Sequence, residues 1–159
     1  MYVKKLKYFY KIRGVFMDNL AKQIKELANN LRVDVVNFTV DQLMRLMTAN
    51  KINIDEIEID ENFASQIAES LLLNIPMQFL IFHEKENTYN VLDGKKRLKS
   101  LKYILSHNKI KNVEIAGMIN DKQLNQDMIF KILDSKIQVL VVDYRITDEI
   151  AEKISKRFK

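Results

Sequence analysis

The stretch Thr88-Tyr89-Asn90-Val91-Leu92-Asp93-Gly94-Lys95-Lys96-Arg97-Leu98 restricts the fold of this chain more than any other. Thr88 to Leu92 is β-branched and apolar enough to predict a strand. Gly94 is one of only three glycines, and it stands where that strand hands over to a helix. Glycine there permits a positive φ and lets backbone or ligand come close. The helix that follows opens with unpaired backbone N–H groups and the positive end of its dipole. Lys95, Lys96 and Arg97 add three cations at that end, which makes it a candidate phosphate site. On a helical wheel Leu98, Leu101 and Leu105 form the inward stripe, with Ile104 on its flank and Arg97 above its edge. An arginine leaning inward needs an anionic partner or a path to water. Two readings stand: a bidentate phosphate contact, or an internal ion pair with Asp93 or another carboxylate, its stem snorkelling.

Composition narrows the function classes. The 159 residues, 47% of them apolar, suffice for one domain with a proper core. The absence of cysteine excludes disulfides and thiolate metal sites. His83 and His107 are the only imidazoles, and their separation is no metal-ligand spacing. They read as a polar strand end and a helix C-terminus. No apolar run reaches membrane-span length and no signal peptide is visible, so the expectation is a cytoplasmic protein without a membrane partner. The net charge of +5 is concentrated at one end. Residues 1–16 hold Lys4, Lys5, Lys7, Lys11 and Arg13 and no acid, so the remaining basic and acidic residues balance at 21 each. This arm, with Tyr8, Phe9 and Tyr10 among its lysines, is a candidate nucleic-acid contact. It reads equally as an extension docked on the core through Tyr2, Leu6 and Phe9. Residues 17–159 are the expected domain.

Along that domain, residues 17–31 predict an amphipathic helix with Asp18 as N-cap and Leu20, Ile24, Leu27 and Leu31 on its apolar face. Arg32 to Phe38 is β-prone. Thr39 caps a second helix with Leu43, Leu46 and Met47 inward. Lys51 to Asp60 alternates apolar and polar residues, predicting an extended segment broken near Asp55. Its Asp55, Glu56, Glu58 and Asp60 form either a solvated face or a Mg²⁺ site beside a phosphate. Glu61 to Leu73 predicts a helix with Phe63, Ile67 and Leu71 inward, ended at Asn74 before Ile75-Pro76. Gln78 to His83 pairs with Thr88 to Leu92 as a hairpin into the corner, and helix 95–106 follows. Asn112 to Met118 reads as a strand or extended segment, and Leu124, Met128, Ile132 and Leu133 as a helix. Ile137 to Tyr144 reads as a central buried strand. Thr147 caps a last helix with Ile150 and Ile154 inward. The pattern is that of a compact α/β or α+β domain.

Several segments stand in an order that resembles a known family: Phe38-Thr39-Val40-Asp41-Gln42-Leu43, Ile52-Asn53-Ile54, Glu69-Ser70-Leu71-Leu72-Leu73-Asn74-Ile75-Pro76 and Val91 to Leu98. Together, over roughly residues 38–157, they resemble the N-terminal domain of GmrSD-type modification-dependent restriction proteins, of the ParB/sulfiredoxin-like superfamily. That resemblance implies a small mixed sheet flanked by helices. It also implies nucleotide binding, with or without weak NTP hydrolysis, and NTP with Mg²⁺ as the cofactor. The family's corner motif is Asp-Gly-Gln-Gln-Arg. Asp93, Gly94 and Arg97 match it, while Lys95 and Lys96 replace both glutamines. Carried over, Arg97 would hold phosphate, Gly94 would admit it, Lys95 and Lys96 would strengthen its attraction, and Asp93 would orient a metal, water or ribose. Asp93 and Arg97 are then the candidate catalytic pair.

Two departures qualify the match. The acidic run 55–60 replaces a Gln-Arg pair and an aromatic of the family. A His-rich nuclease motif is missing, so nuclease activity is not expected from this chain alone. The leading expectation is a nucleotide-binding ParB-like module of a defence or phage-encoded system. The alternatives are a catalytically inactive copy that binds a protein of such a system as inhibitor or decoy, and a DNA-binding protein using the arm with Lys95, Lys96, Lys99 and Lys102.

Overall fold

A computed structural model of the chain describes residues 19–111 and 122–158. The chain divides into two units, residues 1–32 and 33–159. In the first, residues 19–30 form helix α1. Its apolar side chains Leu20, Ile24 and Leu27 are exposed, Ile24 by 58%, as is Leu31 just beyond its end. The expected cap Asp18 lies outside the described residues.

The second unit is mixed α/β, built on a five-stranded sheet. In chain order its elements are β1 (Val33–Thr39), α2 (Val40–Thr48), β2 (Ile52–Asn53), α3 (Glu61–Leu72), β3 (Leu80–Lys85), β4 (Thr88–Asp93) and α4 (Lys95–His107). There follow β5 (Lys109–Ile110), β6 (Lys122–Gln123), α5 (Gln126–Asp134), β7 (Lys136–Val142), α6 (Asp148–Ser155) and a short 3₁₀ turn, Lys156–Phe158. The strand order is β1-β7-β3-β4-β2. β7 runs antiparallel to β1 and parallel to β3, β4 antiparallel to β3, and β2 parallel to β4. β5 and β6 form a separate two-stranded pair. The strand or extended segment expected at Asn112 to Met118 lies outside the described residues.

Alternation along the strands sorts the core onto two faces. Ile137, Val139 and Val141 of β7 join Leu80, Phe82 and Val91 on the face covered by α2 to α5. Leu140 and Val142 join Ile81 on the other, packed against Ile146 and Ala151, with Ile150 and Ile154 of α6 beside them. Both faces of β7 are therefore covered, which is why its sequence is a continuous apolar run.

The helix starts follow their caps. Thr39 accepts from the Gln42 backbone N–H at 3.1 Å while the Gln42 side chain accepts from the Thr39 N–H at 2.8 Å, a closed capping box. Asp60, Asn125 and Thr147 cap α3, α5 and α6 by the side-chain bond alone, accepting from the Phe63, Met128 and Ile150 backbone N–H groups. Asn74 ends the α3 region at φ 56°, in the left-handed conformation asparagine tolerates.

Of the extended segment expected at 51–60, Ile52–Asn53 forms regular strand paired parallel with β4, and the chain then crosses the start of α4 at Asp55. Two expectations need correction. The buried stripe of α4 is Leu98, Leu101 and Ile104, with Leu105 on its flank, where α4 packs chiefly against α3. His83 is no polar strand end. It is wholly buried within β3, between Asn90 of β4 and Val142 of β7. Among the described residues no helix is long and apolar enough to cross a membrane.

Candidate functional site

The corner between β4 and α4 has the geometry its sequence promised. Gly94 takes φ 98° and ψ 10°, a left-handed conformation that L side chains rarely adopt. The ladder between β3 and β4 slips between Ile81 and Phe82, so that Ile81 faces Asp93 and Phe82 faces Val91. The extra residue, Leu92, bends β4 just before the corner. This bend sets Asp93 and α4 over the start of β3.

What fills the corner comes from the protein itself. A Cβ on Gly94 would collide with Leu80 Cδ2, and Leu80 is fully buried. The close approach that glycine permits is therefore to the core. Arg97, with a side chain 12% exposed, donates from Nη1 to the backbone carbonyls of Gln78 and Phe79, the latter at 3.0 Å. Its Nη2 donates to Asp93 Oδ2 at 2.5 Å. Of the two readings of Arg97, the geometry has the internal ion pair with Asp93. The two carbonyls just before β3 complete the grip, and sequence gave no signal for them because a backbone acceptor carries no side-chain signature.

The lysines are also engaged. Lys95 Nζ donates to Asp55 Oδ2 at 2.6 Å. Lys96 Nζ lies 3.5 Å from Asp60 Oδ2 and 4.4 Å above the centre of the Phe63 ring. The acidic run thus folds back over the cationic helix start. The Asp55 carboxyl is held below its ordinary range chiefly by the Lys95 hydrogen bond. That of Asp60 is lowered first by the Phe63 backbone N–H it caps, then by Lys96. Glu56 and Glu58 are exposed. Among the described residues no group of three or more histidine, aspartate or glutamate side chains converges as a metal site.

Beside the corner lies a cleft of about 440 Å³, lined by Asn53 of β2, Asp55, Asn90 to Leu92 of β4, Lys95, Glu152 and Ser155 of α6, and Lys156. It contains two cations and two carboxylates. A second polar cluster sits at the far end of α4. There Tyr103 donates to Glu61 Oε1 at 2.6 Å, Lys111 pairs with Glu61, and the Tyr103 and His107 rings stack at 4.1 Å.

Of the sequence-derived candidates, Asp93, Gly94, Lys95, Lys96 and Arg97 converge on one corner. Lys4, Lys5, Lys7, Lys11 and Arg13 lie outside the described residues. The partners missed by sequence were Asp55 and Asp60 as counter-ions, although an acidic run facing a basic helix start was a usable signal. No family model and no curated protein matches the chain significantly.

Proposed function

We propose that this chain is a binding module acting through protein contacts rather than nucleotide turnover, a non-catalytic counterpart of the ParB-like modules it resembles. One observation supports this above others: all three cations of the corner are paired within the chain, Lys95 with Asp55, Lys96 with Asp60, and Arg97 with Asp93 and two carbonyls. A phosphate entering there must displace carboxylates already in place. The adjoining cleft balances Lys95 and Lys156 with Asp55 and Glu152, so it offers a polyanion no net attraction. The folded body exposes Phe130 and Tyr144 by 55% and 59%, aromatic side chains of the kind enriched in protein interfaces. By resemblance, the partner belongs to a restriction or phage system.

The cleft itself favours a second reading. Its volume falls in the range of small-molecule sites, and Asn53, Asn90 and Lys95 offer donors to a nucleotide carried with Mg²⁺. Melting temperatures with ATP, GTP or CTP, each with Mg²⁺, separate the two. A nucleotide that binds the native state must raise the melting temperature. The proposal expects no rise with any of the three. A rise of several degrees that Lys95→Ala abolishes would establish nucleotide binding and end the protein-only reading.

A further inference from the structure

We infer that the cleft between the sheet and α6 is a binding site for a small zwitterion of the amino-acid class, held by Glu152 and Lys156 and resting on Asn53 and Asn90. The charges of the cleft select that ligand. Of its two cations and two carboxylates, Lys95 and Asp55 satisfy each other at 2.6 Å. Glu152 and Lys156 are left over, because among the described residues neither charged group has an ion-pair or hydrogen-bond partner. Glutamate four residues before lysine is the spacing that closes an ion pair on a helix, and Glu149 with Lys153 does so in α6 at 2.5 Å. Glu152 and Lys156 have the same spacing and stay apart, Lys156 being the first residue of the 3₁₀ turn. The cleft therefore presents one open carboxylate and one open ammonium. The ligand that answers both carries one ammonium and one carboxylate of its own. A polyanion would answer Lys156 alone and meet the carboxylates of Glu152 and Asp55.

The sheet beneath is polar where stability alone would make it apolar. Residues opposite each other in a ladder point to the same side of the sheet. The register sets Asn53 beside Asn90 and Asn90 beside His83, so these three form a row on one face. The rest of that face, under α6, is apolar: Ile81, Leu140 and Val142. Among the described residues the side chains of Asn53 and half-buried Asn90 have no hydrogen-bond partner, and His83 at the inner end of the row is wholly buried with Nε2 unsatisfied. Polar groups in such a place cost stability unless something bonds them. The two amides are donors and acceptors at once, which suits the polar side chain of an amino acid. The volume of about 440 Å³ falls within the range of small-molecule sites. Such a site does not depend on the chain's protein contacts.

The test uses the full chain, with the common L-amino acids as probes, each beside its N-acetyl and its carboxamide derivative. At least one free amino acid at millimolar concentration should raise the melting temperature by about 2 °C or more. Both of its derivatives lack one charge and should fail to do so. For that amino acid, the affinity measured by isothermal titration calorimetry should fall about tenfold or more in Glu152→Gln and in Lys156→Gln. Both side chains are exposed, so these substitutions leave the core intact. Glu149→Gln, in the closed pair one turn earlier, should bind as wild type does. No response to any amino acid, an equal response to either derivative, or an unchanged affinity in Glu152→Gln or Lys156→Gln would each overturn the inference. A response confined to ATP, GTP or CTP would overturn it as well.

Discussion

Gly94→Ala probes the packing of the corner without touching a charge. Two costs combine. Placing a residue with a Cβ in the left-handed region costs about 1–2 kcal/mol. The new methyl would also run into Leu80 Cδ2 and stand 3.4 Å from Cγ. Leu80 is fully buried among Phe82, Leu98 and Val139, so it cannot swing aside freely, and overpacking of this kind costs roughly 1–3 kcal/mol. The sum, about 2–5 kcal/mol, is a large part of the stability expected for a domain of this size. Urea unfolding followed by circular dichroism measures it, with an unchanged slope showing that the same surface is exposed. The two costs separate in a double-mutant cycle. In a Leu80→Ala background the clash disappears, and Gly94→Ala should then cost only the conformational part, about 1–2 kcal/mol. A wild-type midpoint for the single variant, or an equal cost in both backgrounds, would refute the claim that core packing fills the corner.

Other substitutions test its remaining contacts. Arg97→Ala strands the Asp93 carboxylate and the carbonyls of Gln78 and Phe79, and should lower unfolding stability by about 2–4 kcal/mol. A variant as stable as wild type would mean that this arginine is not structural. The carboxyls of Asp55, Asp60, Glu61, Asp148 and Glu149 are all held below their ordinary range, mainly by Lys95, the Phe63 N–H, Lys111, Lys85 and Lys153 in turn. Their stabilisation is present above the unfolded-state pKa and lost as pH falls through the lower folded values. The melting temperature should therefore drop as pH falls below about 4, and less steeply in Asp55→Asn. Among the described residues His83 Nε2 is buried without a hydrogen-bond partner, while Nδ1 lies 3.0 Å from Asp148 Oδ1. His83→Leu should match or exceed wild-type stability in urea, because an unsatisfied buried polar group is costly; a loss above about 2 kcal/mol would contradict this.

Much of the fold was readable because its signals are local. Thr39 with Gln42 three residues on, Thr147 before an apolar stripe, and Asn74 before Ile75-Pro76 each fix an element boundary through short-range hydrogen bonds or sterics. The run at 137–142 announced an interior strand because both its faces are covered. What escaped depends on distant partners. Burial of His83 follows from its place between β4 and β7, and nothing in its neighbours along the chain shows that. The shift of the α4 stripe from Leu105 to Ile104 is a small rotation of the helix, set by how it packs against α3. At the candidate site, the residue types at the corner were legible, but the folding of Asp55 and Asp60 over it depends on contacts spanning about 40 residues of sequence.

The central claim is that this cationic helix start is satisfied from within. Backbone amide resonances of Gly94, Lys95 and Lys96 in ¹⁵N-labelled protein, followed during titration with ATP, GTP and CTP in the presence of Mg²⁺, report on that corner directly. The account predicts that these resonances stay in place at millimolar nucleotide. Saturable movement of all three, lost in Lys95→Ala, would contradict it.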